Sequence, residues 1–452
     1  MSTLHVRMLW LVLFGLAAAV GAEDRRPNVI VILTDDQGAV DLGAWGATDL
    51  VTPNMDRLAR DGVRFTQFYA AAAICSPSRA ALLTGQYPWE VGVPDNAPAP
   101  PSEGVTDINS VDGPNALAAD ALTLAEMLKG AGYATGHIGK WHLGWGRESR
   151  PRSQGFDYSF GHLGGCIDNY SHFFYWNGPN RHDLWEDGRR VRRSGAYFPD
   201  LMVEKAEAFM KRHRDRPFFL YYACNQPHYP YQGDERWLKR YAGAAYPRNI
   251  YAASLSSLDD RIGRLLDIVE ELRLRENTIV IFQSDQGHSV EERAHRGGGD
   301  NGPYRGCKFS LFEGGIRVPA MISWPGHLPA NTVRDQVAHS CDWLPTIAEL
   351  CGVTPPAGRS FRGSSLAPVI RDAAAPSPHA TLVWRMGDQR AVRRGPWKLI
   401  RNVRNPAGDG PALSDADRKW FLANVAEDPG ETRNLAAAEP KLLSELKALL
   451  DD

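Results

Sequence analysis

The sequence predicts an α/β protein: a large, mostly parallel sheet sandwiched between helices, followed by a smaller C-terminal α+β domain. Three observations predict it. The short runs Val29-Ile30-Val31-Ile32-Leu33, Phe218-Phe219-Leu220-Tyr221-Tyr222 and Ile279-Val280-Ile281-Phe282 are compact and rich in β-branched or aromatic residues, as strands buried on both faces should be. Between the second and third runs, Leu255, Leu258, Ile262, Leu265, Leu266, Val269 and Leu272 recur at three- and four-residue spacing, the stripe of a helix. Strands alternating with helices build parallel sheets. After residues 373–378 the texture changes, with Trp384, Val392, Trp397-Lys398-Leu399-Ile400 and a closing helical stretch around Leu442 to Leu450.

In chain order, the first element is an export signal. His5 and Arg7 precede an apolar run from Met8 to Val20, and the small pair Gly21-Ala22 precedes Glu23, the layout of a cleavable signal peptide. The expected organisation is a signal at residues 1–22, a catalytic domain at 23–372 and a small domain at 373–452. Export implies a periplasmic or extracellular protein, with no membrane attachment once the signal is removed. The 452-residue chain, 43% hydrophobic, can bury a large core, and 51 basic against 53 acidic residues provide no overall field for nucleic acid. Six cysteines are few for an exported chain of this size, so the fold rests on its core. Cys341 and Cys351 are either a disulfide or two reduced core cysteines.

The residues that follow the apolar runs carry the chemistry. Leu33 leads into Thr34-Asp35-Asp36-Gln37-Gly38, and Phe282 into Gln283-Ser284-Asp285-Gln286-Gly287-His288. Open parallel sheets gather ligands beyond the carboxyl ends of their strands, so both acidic groups should face one crevice. Unit charges about 4 Å apart repel by on the order of 4 kcal/mol at an effective dielectric of 20, and a bound cation relieves that cost. Oxygen donors imply a hard ion, and flexible multi-oxygen coordination favours calcium over magnesium. The alternative is that Asp36 caps a helix and Asp285 pairs with an arginine. Tyr133 to Ile138 has the look of another strand; it ends in Gly139-Lys140-Trp141-His142, which alternates Lys140 and His142 onto one side. Tyr221 to Cys224 runs into Asn225-Gln226-Pro227-His228. Asp, Lys, His and Asp thus meet at one sheet edge.

Cys75 opens a short helix in Ile74-Cys75-Ser76-Pro77-Ser78-Arg79. Free N–H groups at a helix start favour an anionic group beside it; a lone cysteine can equally be a small apolar packing residue. "CSPSRAALLTG" resembles the signature of the formylglycine-dependent sulfatases, in which Cys-x-Pro-x-Arg directs a maturing enzyme to oxidise the cysteine to an aldehyde. "ILTDDQG", "TPNMDRLARDGVRF", "GYATGHIGKWHLG", "ENTIVIFQSDQGH", "KFSLFEGGIRVP" and "EDPGETRNLA" are similar to further stretches of that family, in its order, over most of residues 27 to 440.

The resemblance implies an alkaline-phosphatase-like fold and hydrolysis of sulfate monoesters. Cys75 would be the modified residue, converted to formylglycine by a maturing enzyme; one hydroxyl of the hydrated aldehyde attacks sulfur, and the other lets the aldehyde re-form and expel sulfate. Asp35, Asp36, residue 75, Asp285 and Gln286 would surround one calcium ion. Arg79 would hold the hydrate, Lys140 and Lys308 clamp the sulfate, His142 accept the proton that collapses the intermediate, and His228 protonate the leaving alcohol. Asp285 would also serve as base for the attacking hydroxyl. Gln286 departs from the family's more common Asn by one methylene, which leaves open whether it or water ligates the metal. The alternatives are a phosphoester hydrolase of the same superfold and a catalytically silent glycan-binding protein. The aromatic-rich segment Phe156 to Phe198, with Asn169, His172, Arg181, His182 and Asp183 among its rings, suits a sulfated saccharide, His172 and Arg181 being the expected sugar-binding residues.

Overall fold

The computed structural model describes residues 26–450 except Asn115; the expected export signal lies outside the described residues. A ten-stranded sheet dominates. Its strands in chain order are β1 (Asn28–Asp35), β2 (Val63–Phe65), β3 (Ala134–Lys140), β4 (Tyr158–His162), β5 (Trp185–Glu186), β6 (Arg189–Arg190), β7 (Phe218–Pro227), β8 (Thr278–Ser284), β9 (Ala320–Ser323) and β10 (Thr332–Arg334). Their spatial order is β10-β2-β9-β8-β1-β7-β3-β4-β5-β6. The central strands β8, β1, β7, β3 and β4 run parallel, with Val31 beside Tyr221 on one side and Ile281 on the other. Antiparallel pairing enters only toward the flanks, at β8–β9, β9–β2, β4–β5 and β5–β6.

The central strands are apolar on consecutive residues because both sheet faces are covered, and the side-chain period of two divides each strand between two cores. Val29, Val31 and Leu33 of β1, with Phe219 and Tyr221 of β7 and Ile279 and Ile281 of β8, face one core. It is closed by α1 (Cys75–Thr84), α2 (Leu124–Gly130) and, further along the chain, Trp343–Leu350. Ile30, Ile32, Leu220, Tyr222, Val280 and Phe282 face the other, under α3 (Phe198–His213) and α4 (Arg248–Glu271). The leucine stripe expected of α4 is the face it buries there. Asp259 of α4 also caps the helix Pro53–Arg60 from a distance: its carboxylate accepts from the N–H groups of Asn54 and Met55, two of the donors a helix start leaves unpaired.

A second, antiparallel sheet follows: β11 (Thr381–Met386), β12 (Gln389–Arg394), β13 (Trp397–Arg401) and β14 (Trp420–Asn424). Leu382, Trp384, Ile400 and Phe421 pack on Tyr69, Ala72, Ala73, Ile74 and Phe312, so this sheet buttresses the chain that enters α1. Its other face packs on Leu446 and Leu450, at the end of the chain. All six cysteines are free and buried; Cys341 and Cys351 are the reduced alternative, not a disulfide. Among the described residues no helix is long and apolar enough to cross a membrane.

Candidate active site

Four central strands and one helix deliver their ends to a single buried cluster. Asp35 is the last residue of β1, and Asp36 turns away from it at φ 59°. The turn is held from both sides: Thr34 Oγ1 donates to Gln37 Oε1 (2.8 Å), and the Gln37 N–H donates to Ser284 Oγ (3.2 Å) at the end of β8. Asp285 and Gln286 follow. Gly287 then lets this turn lie against Gly314, whose carbonyl oxygen would stand 1.8 Å from any Cβ added at position 287. Cys75 is the first residue of α1, a helix buried on every side. The sequence placed Lys140 and His142 on one side of a continuing strand, but β3 ends at Lys140 and His142 sits at φ 54°. Backbone in this left-handed region costs about 1–3 kcal/mol outside glycine and is held by its surroundings.

Around Cys75, acids and bases alternate. Arg79 Nη2 is 2.8 Å from Asp285 Oδ2 and 3.5 Å from Asp35 Oδ1. Lys140 Nζ donates to Asp35 Oδ2 at 2.7 Å, and Lys308 Nζ to Asp36 Oδ2 at 3.0 Å. His228 Nε2 lies 3.6 Å from the same Asp36 oxygen. The Cys75 thiol faces Asp35 Oδ1 at 3.6 Å, and Gln286 Nε2 donates to Asp36 Oδ1 (2.5 Å) and to Cys75 Sγ (3.3 Å). Three carboxylates thus stand against three cations, all of them buried. The ion pair between Asp285 and an arginine does form, with Arg79, and it forms inside the site.

The protonation states follow from burial and these charges. Burial would raise the Asp35 carboxyl, but Lys140, His228, Arg79 and Lys308 outweigh it and hold Asp35 well below the usual range. Burial and the adjacent Asp35 charge push Asp285 up, to about 7, against the pull of Arg79. Burial pushes the Cys75 thiol up to about 12 despite Lys140 and Lys308. An unmodified Cys75 is therefore a protonated, poor nucleophile at neutral pH.

The donor set fits a hard cation. One oxygen each of Asp35 and Asp285 and the Cys75 sulfur lie within 4.8 Å of one another. Gln286 Oε1 is fully buried with no hydrogen-bond partner, a costly state that an ion would relieve.

His142 is buried in the same neighbourhood, its ring against Gly165. The two expected sugar-binding residues, His172 and Arg181, make none of these contacts. His172 is fully buried, its Nε2 at 3.0 Å from the Ala196 carbonyl, and Arg181 donates from Nη1 to the Pro100 carbonyl at 2.8 Å. The sequence reading missed Glu291, which lies 3.4 Å from Lys308 Nζ and accepts from the Tyr229 hydroxyl at 3.0 Å. Six positions after Asp285 in a polar loop, nothing in its local pattern sets it apart.

The chain is similar to known proteins along most of its length. The family model described as Sulfatase matches residues 27–353, and that described as N-sulphoglucosamine sulphohydrolase, C-terminal, matches residues 305–451. The chain is 34% identical to human arylsulfatase A over 481 aligned positions, covering 97% of this chain and 89% of that protein. It is 35% identical to N-acetylgalactosamine-6-sulfatase of Sus scrofa, over 82% of this chain and 71% of that one. The crystal structure of Ps i-CgsB in complex with k-i-k-neocarrahexaose superposes with a TM-score of 0.81 at 27% identity, covering 94% of this chain and 92% of that chain.

Proposed function

The chain belongs to the formylglycine-dependent sulfatase family of sulfuric-ester hydrolases, and from that premise we propose that it removes sulfate from saccharides, using residue 75 as formylglycine beside one calcium ion. The observation that carries this reading is the matched ring of Asp35, Asp36 and Asp285 against Arg79, Lys140 and Lys308 around Cys75. Asp35, Asp36 and Asp285 are already paired with Lys140, Lys308 and Arg79, and uncompensated charge in a buried site is expensive. A divalent cation therefore fits best together with an anion, and a sulfate ester is one.

Asp35, Asp36, Asp285 and the Gln286 amide oxygen would hold the calcium, which when bound supplies positive charge that offsets a sulfate oxygen and favours an ionised hydroxyl. The aldehyde hydrate supplies two hydroxyls on one carbon. The protein's own groups do the rest. Lys140, at the end of β3, and Lys308, in a loop, converge on residue 75 and orient the sulfate oxygens; Arg79, locked on Asp285 and Asp35, fixes the side chain at residue 75. Asp285, held by Arg79 beside residue 75, takes the proton of the attacking hydroxyl. His228, beside Asp36, gives a proton to the departing alcohol oxygen, and His142 accepts the one released when the sulfated residue collapses. The saccharide part of the reading is supported by two relatives: one named for N-acetylgalactosamine 6-sulfate chemistry and one solved with neocarrahexaose. Export to the periplasm or beyond, with a maturing enzyme converting Cys75, completes it.

The test is co-production with a formylglycine-maturing enzyme, mass analysis of the tryptic peptide containing residue 75, and parallel assays of sulfated saccharides and matching phosphate esters. The aldehyde form should release sulfate, and calcium should be required. Active protein carrying only Cys75 would refute the nucleophile. Preference for phosphate would make it a phosphoester hydrolase, and binding without turnover a glycan-binding protein.

A further inference from the structure

At the rim of this site, a tryptophan and an arginine stand unused by the sulfate chemistry. The His228 ring packs on Tyr229, centroid to centroid 4.1 Å, and Tyr229 packs in turn against Trp176 at 6.3 Å. Tyr229 is fixed on both sides: its hydroxyl donates to Glu291 (3.0 Å), and its carbonyl accepts from the Tyr175 hydroxyl (2.7 Å). Trp176, by contrast, is 40% exposed, one of few large apolar side chains so placed. Arg293 lies over it, with its guanidinium carbon 4.7 Å from the ring centre and 5.9 Å from that of Tyr175. A hydrogen bond from Arg293 Nη1 to the Trp176 carbonyl (2.6 Å) pins the pair together. Arg293 is exposed, and among the described residues no carboxylate lies within ion-pair distance of it, although Glu292 is its chain neighbour. The chain of contacts therefore runs from the proton donor to a part-exposed indole that carries Arg293 over its ring, and so to an unpaired, pre-oriented cation.

We infer that Trp176 and Arg293 form a subsite for a sugar ring that adjoins the sulfated ring and carries an anionic group of its own. This rests on the saccharide reading above and names the substrate class more narrowly. An indole face stacks on the apolar face of a pyranose, and a guanidinium with free donors takes a carboxylate or a sulfate in a paired geometry that a neutral hydroxyl cannot match. Two sources share that anionic chemistry, a uronic acid and a second sulfate ester. Because the cation is held on the aromatic ring, little side-chain freedom is lost when the anion arrives.

Three disaccharides that share one sulfated ring, with the neighbouring ring a neutral hexose, a uronate or a second sulfated hexose, test this on the matured enzyme. The wild type should show higher kcat/KM on one or both anionic disaccharides than on the neutral one. Arg293→Gln should shrink that ratio by roughly tenfold, the usual weight of a hydrogen-bonded charge, and Arg293→Lys should keep part of it. Added salt should erode the preference, as it does for exposed charges. Trp176→Ala should lower kcat/KM on all three disaccharides, and Trp176→Phe should recover most of it. Whichever anionic disaccharide is preferred identifies the source. Nitrophenyl sulfate separates the two ways of failing. Turnover of that ester with equal use of the three disaccharides, or an unchanged ratio in Arg293→Gln, overturns the subsite alone. No sulfate release from any ester overturns the sulfatase reading and the subsite with it.

Discussion

Gln286 carries one methylene more than asparagine and ends in a buried oxygen with nothing to bond. Its nitrogen already serves Asp36 and Cys75, so the oxygen is the free end of a side chain fixed at the other. Gln286→Asn should preserve sulfate release at saturating calcium, while Gln286→Ala should raise the calcium concentration for half-activity about tenfold or more, the usual effect of losing a metal's supporting oxygen. Asp36→Ala should be far more damaging. It removes a charge that faces Lys308 and His228 and that would also face the proposed ion. A calcium titration of activity across the three variants distinguishes the outcomes; an alanine variant with unchanged calcium dependence would remove Gln286 from the coordination shell.

Between elements, the most consequential contact is a buried ion cluster joining the second sheet to the site. Lys398 of β13 lies 2.8 Å from Glu313 and 2.9 Å from Glu431, all three fully buried. Glu313 begins the short helix that follows the Lys308 loop, and its other oxygen accepts from the Tyr69 hydroxyl at 2.6 Å. Lys398→Met leaves both carboxylates without their lysine and should cost about 3–5 kcal/mol in urea unfolding. The cluster also sets a pH dependence. Burial would raise both carboxyls; for Glu313, Lys398, Arg317 and Arg393 outweigh it and bring the carboxyl down to about 2. Glu431, with burial and the Glu313 charge pushing it up and only Lys398 and one backbone N–H opposing, stands at about 7. Relative to an unfolded glutamate near 4.3, the folded protein holds an extra proton on Glu431 between those values. Its contribution to stability is therefore full below about 4.3 and is lost as pH rises toward 7. Glu431→Gln should flatten the stability profile over that interval, measured by urea midpoints at pH 4.5 and 7.5. An unchanged slope would assign the pH dependence to other groups.

For the whole molecule, the two sheets are one packed body around the site. Trp384 Nε1 donates to the Ala70 carbonyl (2.8 Å), and the Phe309 N–H, next to Lys308, donates to the Ala73 carbonyl (2.9 Å), two residues before Cys75. With Gln389 Nε2 donating to the Phe309 carbonyl (3.0 Å), the second sheet supports both the segment that enters the Cys75 helix and the loop that carries Lys308. Unfolding should occur in a single calorimetric transition. Calcium at about 100 times its dissociation constant should stabilise the fold by about 2.7 kcal/mol, and a chelator should reverse the gain. Two separated transitions, or a midpoint indifferent to calcium, would contradict this account.

The sequence by itself determined the parallel core of the fold and the strand ends that supply much of the cluster. Consecutive apolar residues betray strands covered on both faces, and Asp35, Asp285, Lys140 and His228 stand at or just beyond strand ends, where the topology of a parallel sheet must bring them together. Tertiary structure alone decided which acid meets which base, because pairs such as Arg79 with Asp285 span 206 positions and no local period encodes them. It alone turned Asp36 and His142 into the left-handed backbone region, since that strain is imposed by neighbours and not by the residue type. It drew His172 inward, because an imidazole serves a buried carbonyl as readily as a sugar hydroxyl. It also brought Glu291 to Lys308 and left Arg293 open over Trp176, contacts 17 and 117 residues apart. Composition and spacing list the groups available for chemistry; burial and long-range packing choose which are paired and which stay free to meet a substrate.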